Sequence, residues 1–288
     1  MSNSIPTYEL ASLAAEPGCV PGLFFGHQAA QAPVRIDIPY RSGYYKVGIC
    51  LRGHAQVKVN LEAFEVVPHS LVLTAPHTIK QWVNFSADYH AANVFFTRDF
   101  VATAAFDPDQ LPCFAPGARP AVPLPADVAP ALAAAIRALQ ARHNEPPAAY
   151  QAEILRLQLQ VLLYELAAAY EASARPAAPV PARSSVLLAR FKELLQRHYL
   201  TERSLDFYAG QLCITPKHLT ETVKKLTGRT AGDWLAETIA LEAKVLLHDP
   251  TRSIAQVADQ LRFADQSAFG RFFRNCTGVS PSSYRSSL

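Results

Sequence analysis

The sequence predicts an α+β chain of two domains: a small β-sandwich or barrel with trailing helices, then an all-α C-terminal third. Three observations predict it. From Val34, apolar and polar residues alternate with a period of two, in short runs separated by turn residues. From Asp127 the apolar spacing becomes three and four, the period of a helix. The last hundred residues contain one helix–turn–helix unit twice.

The chain has 288 residues, half of them apolar, enough for two cores. Its net charge is only +3, but the charge is unevenly placed. Ser184 to the C-terminus carries 14 Lys and Arg against 10 Asp and Glu, whereas the preceding residues carry 13 against 14. The positive excess lies wholly in the last third, where a nucleic-acid module would have it. Cys19, Cys50, Cys113, Cys213 and Cys276 are odd in number and form no CxxC pair, which fits reduced thiols and the cytoplasm. "MSNSIPTYEL" has no basic region followed by an apolar run, so no signal peptide is expected. The longest apolar segment, "ILRLQLQVLLYELAAAY", is interrupted by Arg156, Gln158, Gln160 and Glu165, so no membrane partner is expected.

The strand-like runs are "YYKVGICLRG", "AQVKVN", "AFEVV", "SLVLT", "IKQWVNF" and "YHAANVFF", with turn signals such as Gly53-His54, Pro68-His69 and Ala75-Pro76-His77. Tyr45, Val47, Ile49 and Leu51 share one strand face. A barrel lined by these four with Trp82 and Phe85 would suit an apolar or aromatic-containing small molecule. The same residues would equally fill a solid core. His54, His69, His77 and His90 form no HxH pair, and the chain has no GxSxG, P-loop or GxGxxG motif. No metal, cofactor or enzymatic activity is therefore expected.

Asp127 is placed to cap a helix through "DVAPALAAAIRALQARH". After Pro146-Pro147 a second helix is predicted from about Ala148 to Ala172. Ile154, Leu157, Val161 and Tyr164 form a seam suited to pairing with a second helix, while Leu155, Leu159, Leu162 and Leu166 cover a neighbouring face. A helix with two apolar faces packs on its own domain and on something else, and a homodimer is the expectation. "SARPAAPVPARSS" reads as a semi-rigid linker. The predicted division is 1–172 for the β-plus-helix domain, 173–185 for the linker and 186–288 for the helical domain.

"SLDFYAGQLCITPKHLTETVKKLTG" and "SIAQVADQLRFADQSAFGRFFRNCTG" are the two copies. Ser204 and Ser253 are N-cap signals, Thr215-Pro216 and Asp265 start the second helix of each, and Gly228 and Gly278 suit a left-handed stop. The second copy gains one residue in its turn. Leu219, Val223 and Leu226, and Phe269, Phe272 and Phe273, are placed on buried faces. That leaves Lys217, Thr220 and Glu221, and Gln266, Ser267 and Arg271, facing outward where a recognition helix meets base edges. Lys224, Lys225 and Arg274 lie a turn later, placed for phosphates.

This last third resembles the C-terminal DNA-binding domain of AraC/XylS-type transcription regulators, most densely in "SIAQVADQLRFADQSAFGRFFRNCTGVSPSSYR". The resemblance implies two helix–turn–helix units joined by a long helix, here about Thr230 to Leu247, entering successive major grooves. It assigns base contacts to Lys217, Thr220, Glu221, Gln266, Ser267 and Arg271. Where the family commonly has Gly before the Phe of the second turn, this chain has Arg262, which implies an altered turn or a phosphate contact from Arg262. Residues from about 30 to 115, with their "PHTIKQW" turn, are similar to the cupin-like sensor domains of that family. The implied fold is a cupin-like barrel or jelly roll before the double helix–turn–helix. The implied partners are operator double-stranded DNA, an unidentified small-molecule effector, a second copy of the chain and RNA polymerase. The alternatives left open are a cupin enzyme fused to a DNA-binding module, and a regulator whose N-terminal part only dimerises.

Overall fold

The structure, a computed structural model, describes residues 7–8, 20–26, 38–76, 78–115, 118–174 and 183–287. The chain divides at Arg175 into two compact units.

The N-terminal unit is built on strands β1 (Thr7–Tyr8), β2 (Leu23–Gly26), β3 (Arg41–Ser42), β4 (Tyr45–Arg52), β5 (Ala55–Val59), β6 (Glu62–Val66), β7 (Ser70–Thr74), β8 (Lys80–Phe85), β9 (His90–Phe96) and β10 (Ala121–Pro123). Five strands form an antiparallel sheet in the order β10-β7-β4-β9-β2, three form a second in the order β6-β5-β8, and β1 and β3 pair in parallel. Val47 sits between Leu73 and Val94 in the central register. β4 and β9 slip register between Cys50 and Arg52.

Both faces of the five-stranded sheet are covered, and alternation decides what each covers. Tyr45, Val47 and Ile49 face a core completed by helices α2 (Val128–His143) and α3 (Gln151–Ala174), with Leu132, Ile136, Leu155, Leu159 and Leu166. Cys50, Val72 and Ala121 face the three-stranded sheet, packing with Val57, Val66 and Trp82. The result is a helix layer on a two-sheet sandwich, not a closed barrel. A short helix, α1 (Arg98–Val101), follows β9 and is capped by the Thr97 hydroxyl.

Three details differ from the sequence reading. Asp127 has helical backbone and makes no side-chain cap; the Pro125 carbonyl instead accepts from the Val128 and Ala129 N–H groups. α3 starts at Gln151, after Tyr150 in the left-handed region, because the chain must turn sharply back from α2. α3 continues to Ala174, and the next helix begins at Arg183. Helix thus occupies both ends of the stretch read as linker, and residues 175–182 lie outside the described set.

The C-terminal unit is all helical: α4 (Arg183–His198), α5 (Leu205–Gln211), α6 (Pro216–Thr227), α7 (Ala231–Leu247), α8 (Ile254–Gln260), α9 (Gln266–Thr277) and α10 (Pro281–Ser286). α7 is the connecting helix, started by a capping box in which Thr230 and Asp233 satisfy each other's backbone N–H. These bonds hold the Asp233 carboxyl below its ordinary range. Ala243, Leu246 and Leu247 of α7 pack with Val257, Ala258, Leu261, Phe269 and Phe273 into one core.

Candidate nucleic-acid interface

The two halves of the C-terminal unit are built on the same plan. Ser204 accepts from the Asp206 N–H to start α5, and Ser253 accepts from Gln256 to start α8. Each first helix ends in a turn whose middle residue has positive φ: Cys213 at 55° and Arg262 at 57°. The Ile214 N–H donates to the Ala209 carbonyl at 3.0 Å, and the Phe263 N–H to Ala258 at 2.9 Å. The turn is therefore not altered by Arg262. The larger side chain adopts the conformation the turn demands, at the steric cost that L-residues meet in the left-handed region.

The second helices repeat the pattern. Thr215 accepts from the His218 N–H at 3.2 Å, and Asp265 from Ala268 at 2.6 Å. Each helix stops at a glycine with left-handed φ, Gly228 and Gly278, whose N–H reaches Lys224 and Arg274 carbonyls. Thr227 and Thr277 each donate to the carbonyl four residues back at 2.8 Å. The loops between paired helices, 212–215 and 261–265, show the one-residue gain of the second copy.

Burial orients both helices. Leu219 and Val223 hold α6, and Phe269 and Phe273 hold α9; all four are fully buried. Leu226, read as buried from its spacing, is instead exposed in the last turn of α6. Phe272 is half-buried and packs on Phe263 at 5.0 Å between ring centroids. With these faces committed, Lys217 and Glu221 stand exposed on α6 and Gln266, Ser267 and Arg271 on α9, while Thr220 is half-buried. Lys217 and Glu221 approach to 4.0 Å, a surface pair of small energy. Lys224, Lys225, Arg262 and Arg274 are exposed, and among the described residues none of them makes an ion pair. The exposed face of α9 thus offers amide, hydroxyl and guanidinium groups, each able to hydrogen-bond a base edge.

Arg203 was not legible in the sequence. It precedes α5, yet its guanidinium donates to the Leu261 carbonyl and lies 4.2 Å from the Phe263 ring centroid. It ties the first copy to the turn of the second. Trp234 does similar work within the first half, donating its indole N–H to Thr227 Oγ1 at 3.1 Å.

The six residues suggested as an effector pocket are not brought together. Tyr45, Val47 and Ile49 lie in the helix-side core, with half-buried Leu51 against it, and the Tyr45 hydroxyl donates to Asp109. Trp82 and Phe85 lie between the sheets, their ring centroids 5.0 Å apart. Successive strand residues point to opposite faces, so a period-two set and a residue from the facing sheet share a wall only when the first set points inward. Among the described residues no three His, Cys, Asp or Glu side chains are grouped to hold a metal, and His77 lies outside them. No described helix is long and apolar enough to cross a membrane.

The seam on α3 is exposed: Ile154 38%, Leu157 61%, Val161 59% and Tyr164 56%. Leu155, Leu159, Leu162 and Leu166 on the neighbouring face are buried. The Tyr164 ring nevertheless packs edge-on against Phe106 at 5.2 Å.

Residues 208–287 match a family model described as a helix-turn-helix domain. The arabinose operon regulatory protein of Escherichia coli (strain K12) is 33% identical over 89 residues, 30% of each chain. The HTH-type transcriptional activator RhaS of Escherichia coli O1:K1 / APEC is 29% identical over 148 residues, 51% of this chain and 49% of that one. The chain thus spans half or less of the curated relatives it matches. Among solved structures, the C-terminal domain of AraT from Geobacillus stearothermophilus is 25% identical, covers 37% of this chain and 89% of that one, and has a TM-score of 0.34. ToxT from Vibrio cholerae is 14% identical and covers 93% and 99%, with a TM-score of 0.41. With its duplicated unit and this matched span, the C-terminal part of the chain carries a helix-turn-helix domain similar to those of these operon regulators.

Proposed function

We propose that the protein is a cytoplasmic, sequence-specific DNA-binding transcription regulator, with Lys217, Thr220, Glu221, Gln266, Ser267 and Arg271 meeting base edges and Lys224, Lys225, Arg262 and Arg274 meeting phosphates. The observation that carries the reading is the presence of two similarly capped recognition helices whose exposed faces are polar and whose later basic residues, Lys224, Lys225 and Arg274, make no ion pair among the described residues. Operator affinity then divides into a phosphate part, common to all sequences, and a base part. Arg271→Ala should cost about 1–3 kcal/mol on the operator and relax one base position. Lys225→Ala should weaken all sequences alike and lower the salt slope by about one. Genomic fragments captured by the protein supply the operator, and competition titrations against random DNA measure both variants. Equal loss on operator and random DNA for Arg271→Ala removes the assignment.

The N-terminal unit is read as an effector-binding and dimerisation domain. Dimerisation through Ile154, Leu157, Val161 and Tyr164 is supported by the exposure of that seam beside a fully buried second face. Two DNA-binding units held together gain affinity through effective concentration. An effector biases operator binding only if it binds two arrangements of the protein unequally. RNA polymerase is the proposed partner at the promoter.

A further inference from the structure

The space between the two sheets holds charge that packing alone does not call for. Lys46 on β4 and Lys80 on β8 both point into it. The Lys80 ammonium donates to Ser42 Oγ at 2.6 Å and Thr74 Oγ1 at 3.1 Å, with the residue only 3% exposed. Thr74 is the cross-strand partner of Lys46, so the hydroxyl that Lys80 reaches from the second sheet belongs to the residue beside Lys46 in the first. The Lys46 ammonium lies 4.5 Å from the Trp82 ring centroid and 5.8 Å from that of Phe95. Lys80 lies 5.4 Å from Tyr44 and 5.7 Å from Tyr40. Ring faces and hydroxyls compensate a buried ammonium only in part. Among the described residues no carboxylate faces either lysine, and burial with mutual repulsion lowers the affinity of Lys80 for its proton.

A third polar group points the same way. Asn93 is 6% exposed, and its amide nitrogen donates to the Gly26 and Ala91 carbonyls at 3.1 and 3.3 Å. That fixes the amide's orientation and leaves Oδ1 without a partner. Asn93 lies across Gly48, where a Cβ would fall 2.3 Å from Oδ1 and 3.6 Å from Lys46 Cε. Gly48 therefore makes room for an amide oxygen beside the Lys46 side chain.

We propose that this inter-sheet space binds a small organic carboxylate, held by Lys46 and Lys80, with Tyr40, Tyr44, Trp82 and Phe95 around its apolar body. Two convergent ammonium groups in an aromatic surround match one carboxylate, which accepts from both. Inorganic phosphate has no apolar body to fill the aromatic surround. Asn93 Oδ1 accepts from a hydroxyl or amine on the same ligand. This inference rests on the reading of the N-terminal unit as an effector domain and names the ligand class.

The test is calorimetric titration of the full chain with benzoate and octanoate, against benzamide and inorganic phosphate. Saturable binding of either carboxylate is expected, with benzamide at least about tenfold weaker, because one well-placed charge contact of about 1.4 kcal/mol is a factor of ten. Lys46→Met and Lys80→Met should each weaken binding by a similar factor while keeping the fold, since methionine keeps most of the apolar stem and removes a charge that no described carboxylate compensates. If a variant fails to fold, the benzoate–benzamide comparison on the unaltered chain still decides. Equal binding of benzamide, binding of phosphate alone, or no saturable binding overturns the proposal. Operator affinity is measured in parallel. Carboxylate binding that leaves it unchanged keeps the site and removes the effector role; operator binding with no carboxylate binding removes the site and leaves the DNA-binding reading standing.

Discussion

Single residues carry opposing demands here, and Arg262 shows the clearest case. Its φ of 57° is the left-handed conformation that its counterpart Cys213 also adopts, so the turn sets the backbone and the side chain tolerates it. Arg262→Gly should raise the stability of the C-terminal unit by roughly 0.5–1 kcal/mol, since glycine meets no Cβ penalty there. If Arg262 also touches a phosphate, the same variant binds all DNA more weakly. Denaturant melts and salt-dependent binding separate the two effects; a stability loss in the melt contradicts the strain account. Lys46 and Lys80 make a second residue-level prediction. Burial, and for Lys80 the neighbouring Lys46 as well, pushes Lys46 down to about 8 and Lys80 to about 7, against 10.5 in an unfolded chain. The unfolded state therefore binds more protons above pH 7, and stability rises with pH. Other ionisable groups facing this space are Tyr40, Tyr44, Cys50, whose thiol burial pushes up to about 11, and Tyr89, held protonated by burial. The N-terminal unit should melt at higher temperature at pH 9 than at pH 7, and the Lys46→Met, Lys80→Met double variant should lose that difference. A melting temperature that falls over this interval contradicts the sign.

Among the elements, α3 spends its two faces differently. Leu155, Leu159, Leu162 and Leu166 sit in the core, and Leu159→Ala should cost about 2–5 kcal/mol, the range for a buried leucine. Arg156 and Gln160 donate to the Phe100 and Val101 carbonyls at 3.0 and 2.8 Å, fixing how the helix lies on α1. The seam beside them is anchored yet exposed, so changes there should leave the fold intact. Leu157→Glu with Val161→Glu should give a folded monomer with weakened operator binding, read by sedimentation and titration. A wild-type chain that sediments as a monomer at micromolar concentration, or a double variant that still dimerises, places the interface elsewhere. Both faces of α3 were legible from spacing, because a helix of 24 residues repeats its pattern often enough to declare its period. Its start was less legible. The reversal at Tyr150 depends on α2 behind it rather than on any cap signal.

The whole molecule divides at Arg175, and the C-terminal unit has its own core. A fragment from Arg183 to the C-terminus should therefore fold alone and bind operator DNA, more weakly than the full chain by the loss of linked binding. Circular dichroism and titration check this; an unfolded fragment puts the boundary elsewhere. The sequence by itself determined the duplicated unit, its caps at Ser204, Thr215, Ser253 and Asp265, its glycine stops and its outward-facing residues. Caps, helix periods and turn glycines act within a few residues, so one-dimensional order is enough to show them. The tertiary structure alone decided which side of β4 meets the helices and which meets the second sheet. It alone brought Arg203 to the turn at Leu261, and Lys80 and Lys46 to Thr74. Those contacts join residues from different strands or helices, and the period-two pattern reads the same whichever face turns inward.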